Sequence, residues 1–312
     1  MLPVFETLGN LNSLKDSTGT YIYILCIVAL FGLCMGSFLN CAAWRIVHEE
    51  SVLHGRSHCA KCDHPLGFFD LIPLFSYIFL GGKCRYCKQK IAFRYLLAEI
   101  VSAAVFVSLV VGVDLSGEVK FGFTMQSLEA AFLAALLLCI TFADLEDYLV
   151  PDRLIVAGIA GRLVFAIASG IYEGHIWKEL LNTVIGGFSV ALPLYLLVII
   201  ADKVMDKETM GGGDIKMMFM IGLYFKWSSS LFIMIIACIF GLIFGIVNMS
   251  RQSDEEIEVP DASAPTEEIL AAIEAKEEQK LIPFGPSIAA ATWVAMFFSN
   301  FVVQWYQGLF NF

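Results

Sequence analysis

The run YIYILCIVALFGLCMGSFLNCAAW, residues 21–44, contains 24 consecutive residues without an aspartate, glutamate, lysine or arginine. A helix needs about 20 predominantly apolar residues to cross a bilayer. The whole chain of 312 residues is 58% hydrophobic and only 16% charged, whereas soluble domains carry about 25% charged residues. Because the apolar runs do not alternate with polar residues, helices are favoured over a membrane barrel. The sequence therefore predicts an all-α membrane protein.

Eight hydrophobic segments predict about eight transmembrane helices. The acidic and basic residues Glu6, Lys15 and Asp16 precede the first segment, which is unlike a signal peptide, so we expect this segment to remain as a helix. The sixth segment is short enough to be a partial span. The segments cover approximately residues 21–44, 93–113, 125–143, 153–171, 181–201, 214–226, 228–249 and 282–306.

Lysine and arginine residues predict the orientation of the chain. Eight of the 20 lie between Arg45 and Arg94, whereas the N-terminal tail has only Lys15. The positive-inside rule places this loop in the cytoplasm and both termini outside. We therefore predict a multi-pass protein of the cytoplasmic membrane, in contact with its lipids.

Charge and hydropathy divide the chain into five predicted parts. The formal net charge is −10, and Arg251–Lys280 accounts for −7 of it. Because the remainder is nearly neutral, no nucleic-acid partner is expected. The parts are an N-terminal tail with the first helix (1–44), a cytoplasmic four-cysteine loop (45–93), a transmembrane catalytic core (94–249), an acidic cytoplasmic insert (250–281, with a linker helix at 266–280) and a last helix (282–312).

Four cysteines in the basic loop predict a structural zinc centre. Cys59 and Cys62 form one C-x2-C pair, and Cys84 and Cys87 form a second. Two such turns supply four tetrahedral thiolates and leave no open position for catalysis. Structural disulfides are the alternative, but they are unusual in a reducing cytoplasm. The neighbouring His58 and His64 are alternative ligands or surface residues.

Two aspartates lie at the predicted cytoplasmic ends of apolar segments. Asp144 ends the third segment, and Asp214 follows Gly211-Gly212-Gly213 at the start of the sixth. Either residue alone is explained as a helix cap. Together they suggest an aspartic protease, in which two close carboxylates share a proton and activate water. The glycines, having no Cβ, would let a substrate backbone approach.

One further charge, Arg162, lies in the middle of the fourth segment. An arginine at that depth needs an acidic partner or a wet cavity. We expect a structural ion pair.

The motifs in this order resemble those of type IV prepilin leader peptidases, a group of Gly-x-Gly-Asp intramembrane aspartic proteases. The resemblance covers nearly the whole chain. It rests on Gly36-Ser37-Phe38-Leu39-Asn40 with Arg45, Leu71-Ile72-Pro73, Ser76-Tyr77, the four cysteines with His64, Arg94-Tyr95 with Glu99, Asp144-Leu145 with Pro151-Asp152, Gly211–Lys216 and Pro283-Phe284-Gly285-Pro286.

The resemblance implies an enzyme that removes a short basic leader from prepilin or pseudopilin precursors, with Asp144 and Asp214 as the catalytic pair. Many such enzymes then methylate the new N-terminus with S-adenosylmethionine. Glu99, with Arg94, would then bind this cofactor, although Glu99 could instead pair with a loop lysine. Lys216 would support the substrate or extend to lipid headgroups. A peptidase without methyltransferase activity and a zinc-containing membrane transporter or assembly factor remain as alternatives.

Overall fold

The computed structural model describes residues 18–52, 54–59, 61–116, 125–206, 210–225, 227–252 and 284–310. Within these ranges the regular structure is helical, with two isolated β-bridges. The predicted all-α class is therefore confirmed. Most of the predicted acidic insert, including the helix expected at 266–280, lies outside the described residues, as does the tail before Thr18.

Nine α-helices and one 3₁₀ turn make up the regular structure of the described ranges. The 3₁₀ turn, Phe68–Asp70, and the short helix α2, Phe75–Phe79, lie in the loop between the first two long helices. The other helices are α1 (Thr18–Val47), α3 (Phe93–Ser116), α4 (Met125–Asp147), α5 (Asp152–Glu173), α6 (Ile176–Met205), α7 (Gly212–Tyr224), α8 (Trp227–Gln252) and α9 (Gly285–Phe310).

Six helices among the described residues, α1, α3, α4, α5, α6 and α8, are long and apolar enough to cross a membrane. The sixth predicted segment forms α7, which has only 13 residues. At 1.5 Å per residue it is about 20 Å long, less than the roughly 30 Å of a hydrocarbon core. Helix α7 is therefore too short to cross a membrane by itself.

The buried core includes side chains of α4, α7 and α9. Ile140 of α4, Met217 and Met220 of α7, and Ile288 of α9 are fully buried in one hydrophobic cluster. Ala143, near the end of α4, belongs to the same cluster, and Ile215, near the start of α7, packs against it.

Small residues allow the helices to approach closely at two crossings. A Cβ added to Gly36 of α1 would lie 2.9 Å from the Cα of Glu99 in α3. At the second crossing, Gly186 of α6 and Gly222 of α7 meet backbone to backbone, so a side chain at either would collide with the other helix. Such contacts are typical of membrane helix pairs, whose association depends on close packing.

Candidate active site and metal centre

Asp144 lies in the last turn of α4 and is buried, with 4% of its surface exposed. One oxygen, Oδ2, accepts a hydrogen bond from the backbone N–H of Gly285 at 2.9 Å. Gly285 is the first residue of α9. A helix starts with unpaired N–H groups and a positive dipole end, so this contact stabilises negative charge on Asp144.

Asp214 lies in the first turn of α7, whose N-terminal cap is Gly211. Its backbone N–H bonds to the Gly211 carbonyl at 3.1 Å. The negative charge of Asp144 acts on the Asp214 carboxyl group. The fold therefore brings two carboxyl groups that are 70 positions apart in the sequence near each other, each carried by a different helix.

The three glycines before Asp214 have different surroundings. A Cβ at Gly212 would meet nothing within 4 Å, whereas one at Gly213 would lie 3.1 Å from Val150. A Cβ at Gly211 would lie 3.4 Å from Oδ2 of Asp214. Gly212 thus borders open space, and Gly213 allows close packing against the loop that follows α4.

Gly285 contacts Asp144, and the sequence did not predict this contact. A Cβ at this position would lie only 2.7 Å from Oδ2 of Asp144. The signal in the sequence was its position in Pro283-Phe284-Gly285-Pro286, at the start of the last helix. The contact with Asp144 spans 141 positions and depends on how α9 packs, which the sequence alone does not reveal.

Arg162 forms the expected ion pair, and its acidic partner is Glu129 of α4. The Nη1–Oε1 distance is 2.6 Å. The same guanidinium donates from Nη2 to Thr183 of α6 at 2.9 Å and from Nε to the carbonyl oxygen of Leu223 in α7 at 2.8 Å. Arg162 therefore joins four helices and binds a carbonyl at the C-terminal end of α7, where positive charge is favourable.

Two further ion pairs connect the helices that carry the aspartates to their neighbours. Lys216, two residues after Asp214, donates to Asp152 at 2.7 and 3.0 Å. Arg94 of α3 pairs with Glu146, two residues after Asp144, at 2.8 Å. Both pairs are partly exposed, so each contributes little stability by itself. Each pair therefore lies within two residues of one aspartate.

Glu99 binds the loop backbone rather than a loop lysine. Its Oε2 accepts the N–H of Leu74 at 2.7 Å. Leu74 has a φ of 63°, an uncommon conformation for a leucine. Glu99 therefore attaches the cysteine loop to the α1–α3 pair at a strained residue.

The four predicted cysteine ligands converge on one point. Their Sγ atoms all lie within 4.8 Å of one another, and those of Cys59 and Cys87 are 4.0 Å apart. Tetrahedral zinc with bonds of about 2.3 Å places its sulfurs about 3.8 Å apart. Hydrogen bonds from the backbone N–H groups of Cys87 and Tyr86 outweigh burial and lower the pKa of Cys84 to about 7. The donor set and its geometry fit a metal such as zinc.

A polar cluster supports the second cysteine turn. Asp70 is 7% exposed at its side chain and accepts from Arg85 at 2.7 Å and from Tyr86 at 3.0 Å. Burial raises the pKa of Asp70, but hydrogen bonds from Gly67 and Tyr86 and the charge of Arg85 outweigh it and lower the pKa overall. His64 stacks on the Tyr86 ring at 3.6 Å, so this histidine supports the turn from the other side.

Two family models match this chain over most of its helical part. The bacterial peptidase A24 N-terminal domain matches residues 30–113, and the type IV leader peptidase family matches residues 131–246. The first range contains the four cysteines, and the second contains both aspartates. The chain belongs to the type IV leader peptidase family. Membership in this family supports a peptidase and disfavours the transporter alternative.

Curated relatives extend the leader peptidase match to nearly the full length of the chain. A protein of Aeromonas salmonicida (strain A449) is 28% identical over 305 residues, which cover 90% of this chain and 92% of the relative. One of Bacillus subtilis (strain 168) is 28% identical over 91% of this chain and 98% of its own length. One of Myxococcus xanthus (strain DK1622) is 30% identical over 70% of this chain and 61% of its own. Each is named prepilin leader peptidase/N-methyltransferase. No solved structure matches the chain.

Proposed function

We propose that this leader peptidase family member is an aspartic endopeptidase with Asp144 and Asp214 as its catalytic pair. The proposal is supported by the proximity of Asp144 and Asp214, which are 70 positions apart in the sequence but lie close enough for the charge of one to act on the other. Its substrates would be type IV prepilin or pseudopilin precursors, cut on the cytoplasmic side to release a short basic leader. Family membership and the names of the relatives support this substrate class.

The contacts suggest different roles for the two aspartates. Asp144 receives the Gly285 N–H, which stabilises its charged form, so we assign it as the base. Asp144 would take a proton from a water whose oxygen adds to the scissile carbonyl carbon. Asp214, holding the shared proton, would donate a hydrogen bond to the carbonyl oxygen. Transfer of the proton from Asp144 to the leaving nitrogen would then accompany cleavage of the C–N bond.

The open space beside Gly212 is where we place the substrate backbone. Gly211 and Gly213 would keep the chain close to Asp214 without side chains in the way. Lys216 would help by holding Asp152 and thereby fixing the loop that faces the substrate. These supporting roles extend the predictions made for the four residues from the sequence.

We further propose that methylation of the new N-terminus follows cleavage and that the cysteine cluster holds structural zinc. The names of the relatives support the methyl-transfer step. S-adenosylmethionine, when bound, would supply the methyl group for the exposed amine. Arg94 and Glu99 remain predicted contacts of this cofactor. In the structure Arg94 forms an ion pair with Glu146, and Glu99 accepts a hydrogen bond from the Leu74 N–H. The predicted orientation, with both termini outside, is part of this proposal.

Substitution of each aspartate tests the peptidase. A peptide with a basic leader, a glycine and an apolar segment would be incubated with the purified full-length chain and read by mass. Asp144→Asn and Asp214→Asn should each reduce the cleavage rate at least about 10²-fold, because acid–base catalysis contributes that much or more. Asp147→Asn, at the exposed end of the same α4 helix, is the matched control and should cleave normally. Normal cleavage by both catalytic variants would overturn the proposal.

The product N-terminus tests the methylation step separately. With S-adenosylmethionine present, the mature peptide should gain the mass of one methyl group. An unmodified product from an active peptidase would support the alternative of cleavage alone.

A further inference from the structure

An apolar run without an unpaired charge lies inside the loop that carries the cysteines. The run is FFDLIPLFSYIFL, residues 68–80. Its single charge, Asp70, is buried at the side chain and neutralised by Arg85. Apolar runs of about 10–14 residues are too short to span a bilayer and are typical of buried, re-entrant or interfacial segments. A buried role would require these side chains to be covered by protein.

The structure instead leaves most of the large side chains of this run uncovered. Phe79 is 84% exposed and Phe68 is 80% exposed. Several large apolar side chains exposed within one short segment are typical of an interaction surface. The exposed members are Phe68, Phe69, Leu71, Phe75, Ile78 and Phe79.

Two hydrogen bonds place the run beside a membrane-spanning helix. Leu74 donates its N–H to Glu99, which lies about 9 Å along α3 from its first residue, Phe93. Tyr77 donates its hydroxyl to the carbonyl oxygen of Ile91, just before that helix. The run therefore lies alongside the first two turns of α3, a candidate membrane span that begins at Phe93.

The neighbouring face of α3 is itself apolar and exposed. Phe93, Leu97 and Ile100 follow one another at helical spacing and are all exposed. In a membrane-spanning helix such residues contact lipid. The run and α3 therefore both expose apolar side chains near the start of this helix.

Lysines border the run where it ends. After the turn at Gly82, Lys83 forms a β-bridge with Lys90, and Lys88 lies between them in the sequence. All three are exposed, and none forms an ion pair with another residue in the part of the chain that the structure describes. An apolar face next to unpaired lysines is the composition of segments that lie in the interface of an anionic membrane.

We propose that residues 68–80 insert into the interfacial region of the leaflet on the cysteine-loop side, with Lys83, Lys88 and Lys90 at anionic phospholipid headgroups. The occupant of this surface is the bilayer itself. Since Asp70 binds Arg85 and Tyr86 on the second cysteine turn, insertion also holds the cysteine cluster at the membrane surface. The proposal requires only a membrane-embedded chain and is independent of peptidase activity.

Photochemical crosslinking tests the proposal directly. The photoreactive residue benzoylphenylalanine would replace Phe68 or Phe79 in the full-length chain, reconstituted in vesicles of phosphatidylglycerol and phosphatidylethanolamine. Replacement of Lys61, an exposed residue of the first cysteine turn, is the control. Intact-protein mass should show phospholipid adducts at positions 68 and 79 and few or none at 61.

Other adducts would identify other occupants. A covalent dimer would assign the surface to a second copy of the chain, and an adduct with an added pilin-like peptide would assign it to the substrate. Either result without lipid adducts, or equal lipid adducts at all three positions, would overturn the proposal.

The lysines are tested in the same vesicles. Combining Lys83→Gln with Lys90→Gln should lower the ratio of phosphatidylglycerol to phosphatidylethanolamine adducts at position 79 by up to about thirtyfold, since each lysine at an anionic surface contributes about 1 kcal/mol, or about fivefold. Lys61→Gln should leave that ratio unchanged. An unchanged ratio in the double variant would overturn the headgroup assignment.

Discussion

The aspartate site and the cysteine cluster are built in opposite ways. Asp144 and Asp214 lie on different helices, and the N–H that binds Asp144 comes from a third helix. Each cysteine pair instead lies on one short turn, with hydrogen bonds from neighbouring backbone groups. The aspartates therefore depend on packing across the membrane core, and the cysteines depend mainly on local chain geometry. Substitutions in one region should therefore change its own property, cleavage or metal binding, and leave that of the other region nearly unchanged.

The largest effect on cleavage among packing variants is expected from Gly285→Ala. The added methyl carbon would lie 2.7 Å from the Asp144 carboxylate, which must move or lose its N–H contact. Displacement of a catalytic group by about 1 Å can reduce a rate about 10²-fold. Gly19→Ala, where a Cβ meets nothing within 4 Å, is the control. Loss of cleavage with an unchanged metal content would show that the aspartate site and the cysteine cluster are separable. A fully active Gly285→Ala enzyme would contradict the predicted role of this glycine.

A smaller effect, about tenfold on the turnover number, is expected from Arg162→Met. The variant leaves Glu129 without its partner and frees the C-terminal end of α7, which carries Asp214 at its other end. Removing one member of a buried pair destabilises a protein by about 3–5 kcal/mol. Thermal unfolding in detergent measures this loss.

A second variant distinguishes positioning from stability. Adding Glu129→Gln to Arg162→Met removes the unpaired charge and should restore much of the thermal stability. The turnover number should stay low, because the contact with the Leu223 carbonyl is still missing. Full recovery of both quantities would show that Arg162 acts only through stability.

Cys59→Ser combined with Cys62→Ser should change cleavage by less than about threefold while abolishing metal binding, because zinc sites need thiolate ligands. Elemental analysis and the peptide assay measure the two properties on one sample. If methylation occurs, it should be lost together with the metal. Equal loss of cleavage and methylation would contradict a separable cysteine region.

The smallest effect on cleavage is expected from Asp70→Asn, which should leave the rate unchanged. The variant weakens the bonds to Arg85 and Tyr86 that support the second cysteine turn. Supporting hydrogen bonds around metal sites contribute about 10-fold or more to affinity, so competition with a chelator should show weaker zinc binding. His64→Phe keeps the ring stacked on Tyr86 and should retain zinc. Loss of zinc in that control would make His64 a ligand.

The sequence predicted the residues of both regions better than their contacts. The cysteine spacing indicated a cluster because each pair is local, and the cluster is present. The charge of Arg162 indicated an acidic partner, but Glu129 is 33 positions away, and its identity depends on helix register. Gly285 contacts Asp144 only through the packing of α9, so no local pattern indicated that contact.

The apolar run at 68–80 was missed for a different reason. It is shorter than a transmembrane segment, and basic residues flank it, so a search for full-length spans passes over it. Its position beside α3 depends on the hydrogen bond from the Leu74 N–H to Glu99. A hydrogen bond of this kind between a loop backbone and a helix side chain has no signature in composition.

The short helix α7 has few ways left to move. Backbone contact at Gly222 prevents it from approaching α6 any further, and the Leu223 carbonyl is fixed by Arg162. The Tyr224 hydroxyl donates to the Gly158 carbonyl of α5 at 2.7 Å, which opposes rotation about the helix axis. These three restraints act on different motions of α7, so loss of any one of them frees the motion of Asp214 that it alone opposed.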